Sequence, residues 1–302
     1  RGDRGSEMSY RETTFNSGGT SCSAWYFTGD GPGPRPVVVM AHGFAGTKDS
    51  GLAPFAERFA DAGFDVLAFD YRGFGASEGQ PRQSISITRQ LQDYDAAIAA
   101  AKRLPDVDPD RIVLWGVSLS GGHVIRVAAD RGDVKAVIAL TPLTDAVATA
   151  RGVLKQYSLA AAGRATVDGV ASRVVVARGG TPVMMPVVGR PGEPGGLTLD
   201  GAYENYHAIA GPTWRNEVDS AVGQELMKIK TKPYAKRLKP SLLVQIADFD
   251  SYVPADAVAR TAEYGRGWVH HYPCDHFDVW PGLEWFDRAV GDQVSFLRKV
   301  FG

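Results

Sequence analysis

Two serines stand among glycines in the stretch GVSLSGG, residues 116–122. The stretch follows a run of branched apolar residues, RIVLWGVS (111–118), and precedes a stretch with a helical pattern. A serine on a sharp turn between a buried strand and a helix points away from the sheet, where its hydroxyl can act as a nucleophile. Such a turn demands little bulk two residues before and after the serine, and Gly116 and Ser120 meet this demand around Ser118. Ser118 is therefore the predicted nucleophile, and an ordinary helix cap is the alternative.

Ser120 departs from the usual pattern G-x-S-x-G, which has a glycine at that position. Gly121 and Gly122 follow it, although each glycine in a helix costs roughly 1 kcal/mol relative to alanine. A crowded backbone beneath the turn would explain both glycines. Ser120 is the weaker nucleophile candidate, because Ser118 would then occupy the preceding position that needs glycine.

A serine hydroxyl needs a general base, usually a histidine that a carboxylate orients. His276 follows the last predicted strand, in the loop CDHFDVWPG, from which an imidazole can reach over the sheet edge. By contrast, His123 lies within a predicted helix, His207 in an inserted segment, and residues 270–271 in the body of a strand. His276 is therefore the predicted base.

The orienting acid is expected after the preceding strand, in the segment QIADFDSYVP (245–254). Asp250 lies farther from the strand, just before a turn into the next helix, and is the predicted acid. Asp248 is expected to make a local turn bond, but it remains an alternative, as does Asp145 after an earlier strand. Asp275 adjoins the predicted base in sequence, which is an awkward geometry for orienting that imidazole.

Acyl transfer also needs preorganised N–H donors for the oxyanion of the tetrahedral intermediate. The backbone N–H of Leu119, at the start of a predicted helix, is one candidate. The loop AHGFAGTKDS (41–50) offers the other at Phe44, because Gly43 lets the backbone approach closely. The alternative for this loop is a plain glycine-rich turn.

The elements that position these residues alternate between strand and helix from residue 35 to 142 and again from 240 to 301. This alternation predicts an α/β fold with a doubly wound, mostly parallel sheet. An antiparallel hairpin, with strands at 10–15 and 20–27, is predicted before it. Ligands of open parallel sheets bind beyond the carboxyl ends of the strands, where the predicted catalytic residues fall.

The alternation stops in residues 144–236, an interval rich in alanine, glycine and proline. It contains a predicted alanine-rich helix at 154–173 and a possible hairpin at 173–189. We therefore expect a core of residues 9–143 and 237–302 and a cap inserted between them. Apolar side chains of the cap are predicted to line a substrate pocket, or alternatively to form the cap's own core: Met184, Met185, Tyr203, Tyr206 and Trp214.

Composition narrows the function classes. Lysine and arginine total 33 against 34 acidic residues, and a net charge of −1 disfavours nucleic acid or an anionic membrane as a partner. No apolar run approaches a membrane span, and the first ten residues lack the apolar segment of a secretion signal. Two cysteines far apart in sequence favour a reduced, cytoplasmic protein. No metal-ligand spacing or phosphate-binding motif is present, so neither metal nor cofactor is expected.

Taken together, these motifs resemble the α/β-hydrolase family. HGF follows the first core strand, DYRGFGASEG (70–79) the second and GVSLSG the third, and DSYVP and HF come later, in the order that this family uses. The resemblance covers residues 35–142 and 237–302, and the interval between them is where the family carries a cap. It implies a catalytic triad and two oxyanion donors at the positions predicted above. A serine at the turn, rather than an aspartate, favours acyl transfer over epoxide opening or halide removal.

The sequence thus predicts a serine hydrolase, independent of cofactors, that cleaves a carboxylic ester of a small to medium apolar molecule through an acyl-enzyme. Other reactions could use the same triad, namely those of a peptidase, thioesterase, lactonase, acyltransferase or carbon–carbon bond hydrolase. A non-catalytic ligand-binding relative is the remaining alternative.

Overall fold

The computed structural model describes residues 9–154 and 159–302. Residues 1–8, and residues 155–158 of the predicted alanine-rich helix, lie outside the described part. Ten strands occur in the described part: β1 (Arg11–Ser17), β2 (Thr20–Phe27), β3 (Arg35–Ala41), β4 (Asp65–Phe69), β5 (Val107–Val117), β6 (Val134–Leu140), β7 (Met184–Met185), β8 (Val218–Asp219), β9 (Ser241–Ala247) and β10 (Trp268–Tyr272). The described part of the chain also contains ten helices: α1 (Ala53–Asp61), α2 (Ile87–Ala101), α3 (Leu119–Ala129), α4 (Ala146–Leu154), α5 (Leu159–Ala177), α6 (Ala202–Ile209), α7 (Val222–Leu226), α8 (Lys232–Arg237), α9 (Ala255–Tyr264) and α10 (Phe286–Phe301).

Eight strands form one sheet in the order β1-β2-β4-β3-β5-β6-β9-β10. Strand β2 pairs antiparallel with both of its neighbours, and all other neighbouring strands are parallel. The predicted hairpin is confirmed, with Phe15 opposite Cys22. The mostly parallel α/β fold is also confirmed, so the loops that follow the parallel strands gather at one edge of the sheet.

The sheet is buried because its central strands are apolar on both faces. Every residue of β3 and β4 is buried, as expected for parallel strands covered by helices on each side. Helix α1 packs against α10, while α2, α3, α8 and α9 contact one another in a row. Burial of α10 follows its amphipathic pattern, since Val290 and Leu297 face the core.

The interval 144–236 lies between β6 and β9 and contains α4 to α7, all but the last residue of α8, and the short pair β7 and β8. The hairpin predicted at 173–189 is wrong, because α5 continues to Ala177 and β7 pairs with β8 instead. Its valines have high strand propensity, but tertiary contacts override such a preference. One of these contacts is the buried hydroxyl of Ser172 on α5, which donates to Asp219 of β8 at 2.6 Å.

Both cysteines, Cys22 and Cys274, are free and buried. Within the described ranges, no helix combines the length and apolar character needed to cross a bilayer.

Candidate active site

Ser118 joins β5 to α3 in a backbone conformation that residues other than glycine rarely adopt. Its φ is +53° and its ψ is −115°, and such strain persists only where surrounding structure enforces it. Its N–H donates to the carbonyl oxygen of Leu140 at 2.9 Å, and its own carbonyl accepts the N–H of Leu143 at 2.8 Å. The predicted sharp turn is therefore present, and Ser118 is half-buried at its tip.

The glycines around this turn are required by close backbone contacts. A Cβ at Gly116 would lie 2.2 Å from the carbonyl oxygen of Ser120, and one at Gly122 would lie 2.2 Å from that of Leu143. Gly121 is similarly confined, since its Cβ would meet a proline side chain at 2.7 Å. The helix tolerates poor helix formers here because larger residues would push α3 away from the sheet.

Ser120 is fully buried, and its hydroxyl is engaged with the backbone. Its Oγ accepts the N–H of Val117 at 2.8 Å and lies 3.0 Å from the carbonyl oxygens of Val117 and Ala41. These bonds connect α3 to the ends of β5 and β3. The hydroxyl of Ser120 therefore has a structural role, whereas the half-buried Ser118 lies at the tip of the turn.

His276 and Asp250 form a buried pair beyond the ends of β10 and β9. The distance between His276 Nδ1 and Asp250 Oδ2 is 2.6 Å, and the side chains are 4% and 3% exposed. The other carboxylate oxygen accepts the N–H groups of Tyr252 at 2.9 Å and Val253 at 2.7 Å. Because Nδ1 faces the carboxylate, a neutral His276 carries its proton there and keeps Nε2 unprotonated, as a general base requires.

Two electrostatic effects act in opposite directions on the pKa of His276. Burial, the largest single effect, favours neutral His276, but the charge and hydrogen bond of Asp250, with a smaller contribution from Asp275, outweigh it. The pKa of His276 is therefore raised above its ordinary value. A raised pKa makes the imidazole a better proton acceptor in a serine attack.

Asp275 has a positioning role that the sequence did not reveal. Its carboxylate accepts the N–H and hydroxyl of Ser251 at 2.8 and 2.7 Å, and its Oδ1 also accepts the N–H of His276 at 2.6 Å. It thereby connects the loop that carries Asp250 with the loop that carries His276. A carboxylate beside the candidate base was the available signal, but its partner Ser251 lies 24 residues away in sequence.

The alternative acids have other partners. Asp248 does not make the expected local turn bond, because its Oδ1 lies 2.6 Å from Nδ1 of His271 on β10, where both side chains are exposed. Asp145 accepts the N–H groups of Val147 and Ala148 and so caps the start of α4.

The histidines that were set aside as bases are occupied elsewhere. His123 is buried on α3 with its Nε2 at 2.8 Å from the side-chain oxygen of Gln90, and burial lowers the pKa of His123 to about 3. His207 is exposed, with Nδ1 at 2.8 Å from the carbonyl oxygen of Tyr203. His270 lies 3.4 Å from a carboxylate oxygen of Asp292.

The loop after β3 lies directly against the turn at Ser118. A Cβ at Gly43 would stand 2.7 Å from the carbonyl oxygen of Val117, 3.3 Å from Ser118 Cβ and 3.6 Å from the amide nitrogen of Leu119. The N–H of Gly43 donates to His42 Nδ1 at 2.8 Å. In contrast, the N–H groups of Phe44 and Leu119 have no acceptor among residues 9–154 and 159–302. Two unpaired donors are thus available beside Ser118.

Two buried side chains stabilise this loop. His42 donates from Nε2 to the carbonyl oxygen of Ser50 at 2.9 Å, and burial lowers the pKa of His42 to about 4, so its ring remains neutral. Lys48 forms an ion pair with Asp70 at 2.8 Å, both side chains being buried. The carboxylate of Asp70 also accepts the N–H of Ala76. The motif DYRGFG therefore contributes a loop anchor.

The five side chains predicted to line a pocket occupy different environments. Tyr206 is buried and stacks on the half-buried Trp214, which fits the alternative of an internal core. Tyr203 lies beneath the guanidinium of Arg190 at 4.0 Å from its ring centroid. The half-buried methionines form β7. No group of three His, Cys, Asp or Glu side chains in the described chain is arranged to hold a metal ion.

Known proteins resemble this chain in sequence and in structure. A family model described as serine aminopeptidase, S33, matches residues 32–176. The quorum-quenching protein AidA of Acinetobacter baumannii (strain MDR-ZJ06) is 35% identical over 292 residues, which cover 96% of this chain and 94% of that protein. The thiohydrolase aneE of Aspergillus aculeatus is 34% identical over 187 residues, 62% of this chain and 58% of that protein. A solved structure of DcsB with its substrate analogue has a TM-score of 0.80 at 24% identity, covering 97% of this chain and all of the other.

Proposed function

This chain belongs to the α/β-hydrolase superfamily, as the matching family model, the relatives and the fold together show. We propose that it is a serine hydrolase whose catalytic triad is Ser118, His276 and Asp250. One observation carries the proposal: a strained serine at the end of β5 combined with a buried His–Asp pair beyond the ends of β9 and β10, at the same edge of the parallel sheet. Strain and burial of this kind are costly to the fold and are typical of functional sites.

The reaction that we propose is hydrolysis of a carboxylic ester of a small to medium apolar molecule. Ser118 Oγ attacks the carbonyl carbon while its proton passes to His276 Nε2. The N–H groups of Phe44 and Leu119 bind the oxyanion, as in other acyl-transfer sites. When the tetrahedral intermediate collapses, the C–O bond to the alcohol breaks and the leaving alkoxide takes the proton from His276.

Water completes the cycle. The oxygen of a water molecule attacks the acyl carbon of the Ser118 ester while His276 takes a proton from that water. The second tetrahedral intermediate then releases a carboxylic acid, and the proton returns to Ser118 Oγ. Asp250 stays ionised throughout and holds the imidazole in one tautomer.

A thioester is the second candidate substrate, because a relative that is 34% identical is named a thiohydrolase. The two candidates differ at the leaving group. A thiolate, with a thiol pKa near 8.5, leaves more readily than an alkoxide and depends less on a proton from His276. Thioester cleavage would therefore use the same attack by Ser118, but it would need less proton donation from His276 to the leaving group.

Residues 144–236 are proposed to act as a cap over this site. Support comes from two contacts with Phe44, namely the hydrogen bond from Tyr206 on α6 and the packing of the Phe44 ring on Gly196. The hydrogen bonds of Thr213 to Asp49 add to this support. The half-buried Met184 and Met185 remain predicted pocket residues.

The test is covalent labelling with a fluorophosphonate combined with Ser118→Ala. We expect the wild-type protein to be labelled at Ser118, and Ser118→Ala to lose labelling and p-nitrophenyl ester hydrolysis by about 10⁴-fold or more. The matched control is Ser120→Ala, which should retain most of the activity despite some loss of stability. An unlabelled wild-type protein, or equal losses in both variants, would contradict the proposal.

Substrate class is then resolved with esters, thioesters and lactones that share one acyl chain. A kcat/KM highest for the thioester would move the assignment to the second candidate.

A further inference from the structure

Tyr206 on α6 makes a hydrogen bond to the loop that we propose binds the oxyanion. Its hydroxyl donates to the carbonyl oxygen of Phe44 at 2.7 Å, and the residue is 2% exposed. Burial raises the pKa of Tyr206, so the phenol keeps its proton and remains a donor at neutral pH. The single hydroxyl proton is therefore committed to the main chain at Phe44.

The ring of Tyr206 also contacts both loops of the site. Its centroid lies 6.2 Å from that of His42, in the loop of Phe44, and 5.9 and 5.0 Å from those of Phe277 and Trp280, in the loop of His276. The contacts with Phe277 and Trp280 are edge-to-face, which is favourable at these distances, whereas the His42 ring is tilted. A buried ring held this way has little freedom, so its hydroxyl defines where the carbonyl of Phe44 can lie.

The side chain of Phe44 is restrained by the same inserted segment. A Cβ at Gly196 would come within 2.9 Å of Phe44 Cε1, so the ring packs directly on the backbone at Gly196. The far end of the loop is held separately, because Asp49 accepts the N–H and hydroxyl of Thr213 at 2.9 and 2.7 Å. Loss of the Tyr206 bond would therefore loosen Phe44 without releasing the whole loop.

From these contacts we propose that Tyr206 is a positioning residue. It holds Phe44 so that the backbone N–H of Phe44 points at the oxyanion. The inference rests on the proposed function. The N–H of Phe44 meets full negative charge only in the tetrahedral intermediate and the flanking transition states. A mispositioned N–H therefore raises the barrier and leaves substrate binding unchanged.

The experiment compares Tyr206→Phe with Tyr234→Phe, a matched change on α8 at a half-buried tyrosine outside the predicted pocket. Tyr206→Phe keeps the ring and removes the hydroxyl. Deleting an oxyanion donor outright costs about 10²- to 10³-fold in kcat, so displacing one should cost about 10-fold. We expect kcat to fall by that factor, KM to stay within about 2-fold, and a boronic acid, which forms a tetrahedral anion on serine, to bind more weakly by the same factor. Tyr234→Phe should match the wild type in all three.

A second variant disturbs Phe44 from the opposite side. Gly196→Ala inserts a methyl group against the Phe44 ring and should also lower kcat more than it changes KM. Its control is Gly163→Ala, where an added Cβ meets nothing within 4 Å. If Tyr206→Phe does not fold, Gly196→Ala still tests whether Phe44 is positioned by the inserted segment.

The outcomes separate this inference from the proposed function. A wild-type protein that is not labelled by fluorophosphonate removes the proposed function and the inference together. A labelled wild type with unchanged kcat in Tyr206→Phe rejects the positioning role alone. Equal losses in Tyr234→Phe, or a loss confined to KM, would also overturn it.

Discussion

Two histidine–aspartate pairs at the β9–β10 end of the sheet share the same short contact of 2.6 Å through Nδ1. The side chains of His276 and Asp250 are 4% and 3% exposed, whereas those of His271 and Asp248 are 53% and 37% exposed. Water and salt screen an exposed pair far more than a buried one. Equal distances thus conceal unequal electrostatics, and burial is what makes the first pair a candidate for catalysis.

The two pairs also differ in what holds them. The Asp250 carboxylate accepts two backbone N–H groups, and the rings of Tyr252 and Phe277 pack against His276. The second pair joins the end of β9 to β10, the outermost strand. A fixed pair costs no reorganisation when the reaction begins, which is the condition for efficient catalysis.

The sharpest way to break this comparison is to remove each histidine in turn. His276→Ala should lower kcat/KM for ester hydrolysis by about 10⁴-fold or more, because Ser118 loses its base. His271→Ala should stay within about 2-fold of the wild type. The measurement is steady-state hydrolysis of p-nitrophenyl acetate, with circular dichroism to verify folding. Comparable losses in the two variants would mean that burial does not distinguish the pairs.

The aspartates allow a subtler comparison that retains shape and removes charge. Asp250→Asn should lower kcat by about 10³- to 10⁴-fold, since an amide no longer stabilises the imidazolium or its tautomer. Asp248→Asn should have almost no effect. The reverse result would make Asp248 the acid.

The pH profile of the same variants tests the electrostatic cause. His276 must be neutral to act as a base, so kcat/KM falls as the pH drops through its pKa. The raised pKa places this acidic limb above about 6.5, the value for a free imidazole. Asp250→Asn removes the charge that raises the pKa and leaves burial, which lowers it, so the limb should move to lower pH. Asp248→Asn should leave the limb in place, and an unmoved limb in Asp250→Asn would contradict the assigned cause.

The sequence was sufficient to predict the parallel sheet, the hairpin before it and the turn at Ser118, because each depends on local pattern. Alternating apolar segments and glycines at fixed offsets are such patterns. Crowding of the backbone at Gly121 and Gly122 could also be predicted, because two glycines in a helix lower its stability and are expected only where larger residues do not fit. The order of these motifs carried the resemblance to the α/β-hydrolase family, which the comparisons with known proteins then confirmed.

What the sequence did not reveal depends on contacts between distant segments. The bond of Tyr206 to Phe44 spans 162 residues, and that of Asp275 to Ser251 spans 24. Neither has a spacing signature. The predicted hairpin at 173–189 was wrong for the same reason, because α5 is fixed by Ser172 bonding to Asp219 in a strand 47 residues away. Likewise, nothing in the sequence predicted that Asp248 would pair with His271.

The smallest expected effect concerns the exposed pair itself. A double-mutant cycle with His271→Ala and Asp248→Ala should give a coupling free energy of about 0–1 kcal/mol, because exposed ion pairs are screened and lose side-chain entropy. Urea unfolding of the four proteins at low and high salt measures it, and salt should reduce it further. A coupling well above about 1 kcal/mol that resists salt would show that the pair is shielded despite its exposure. The contrast in burial would then no longer explain why one pair, and not the other, is suited to catalysis.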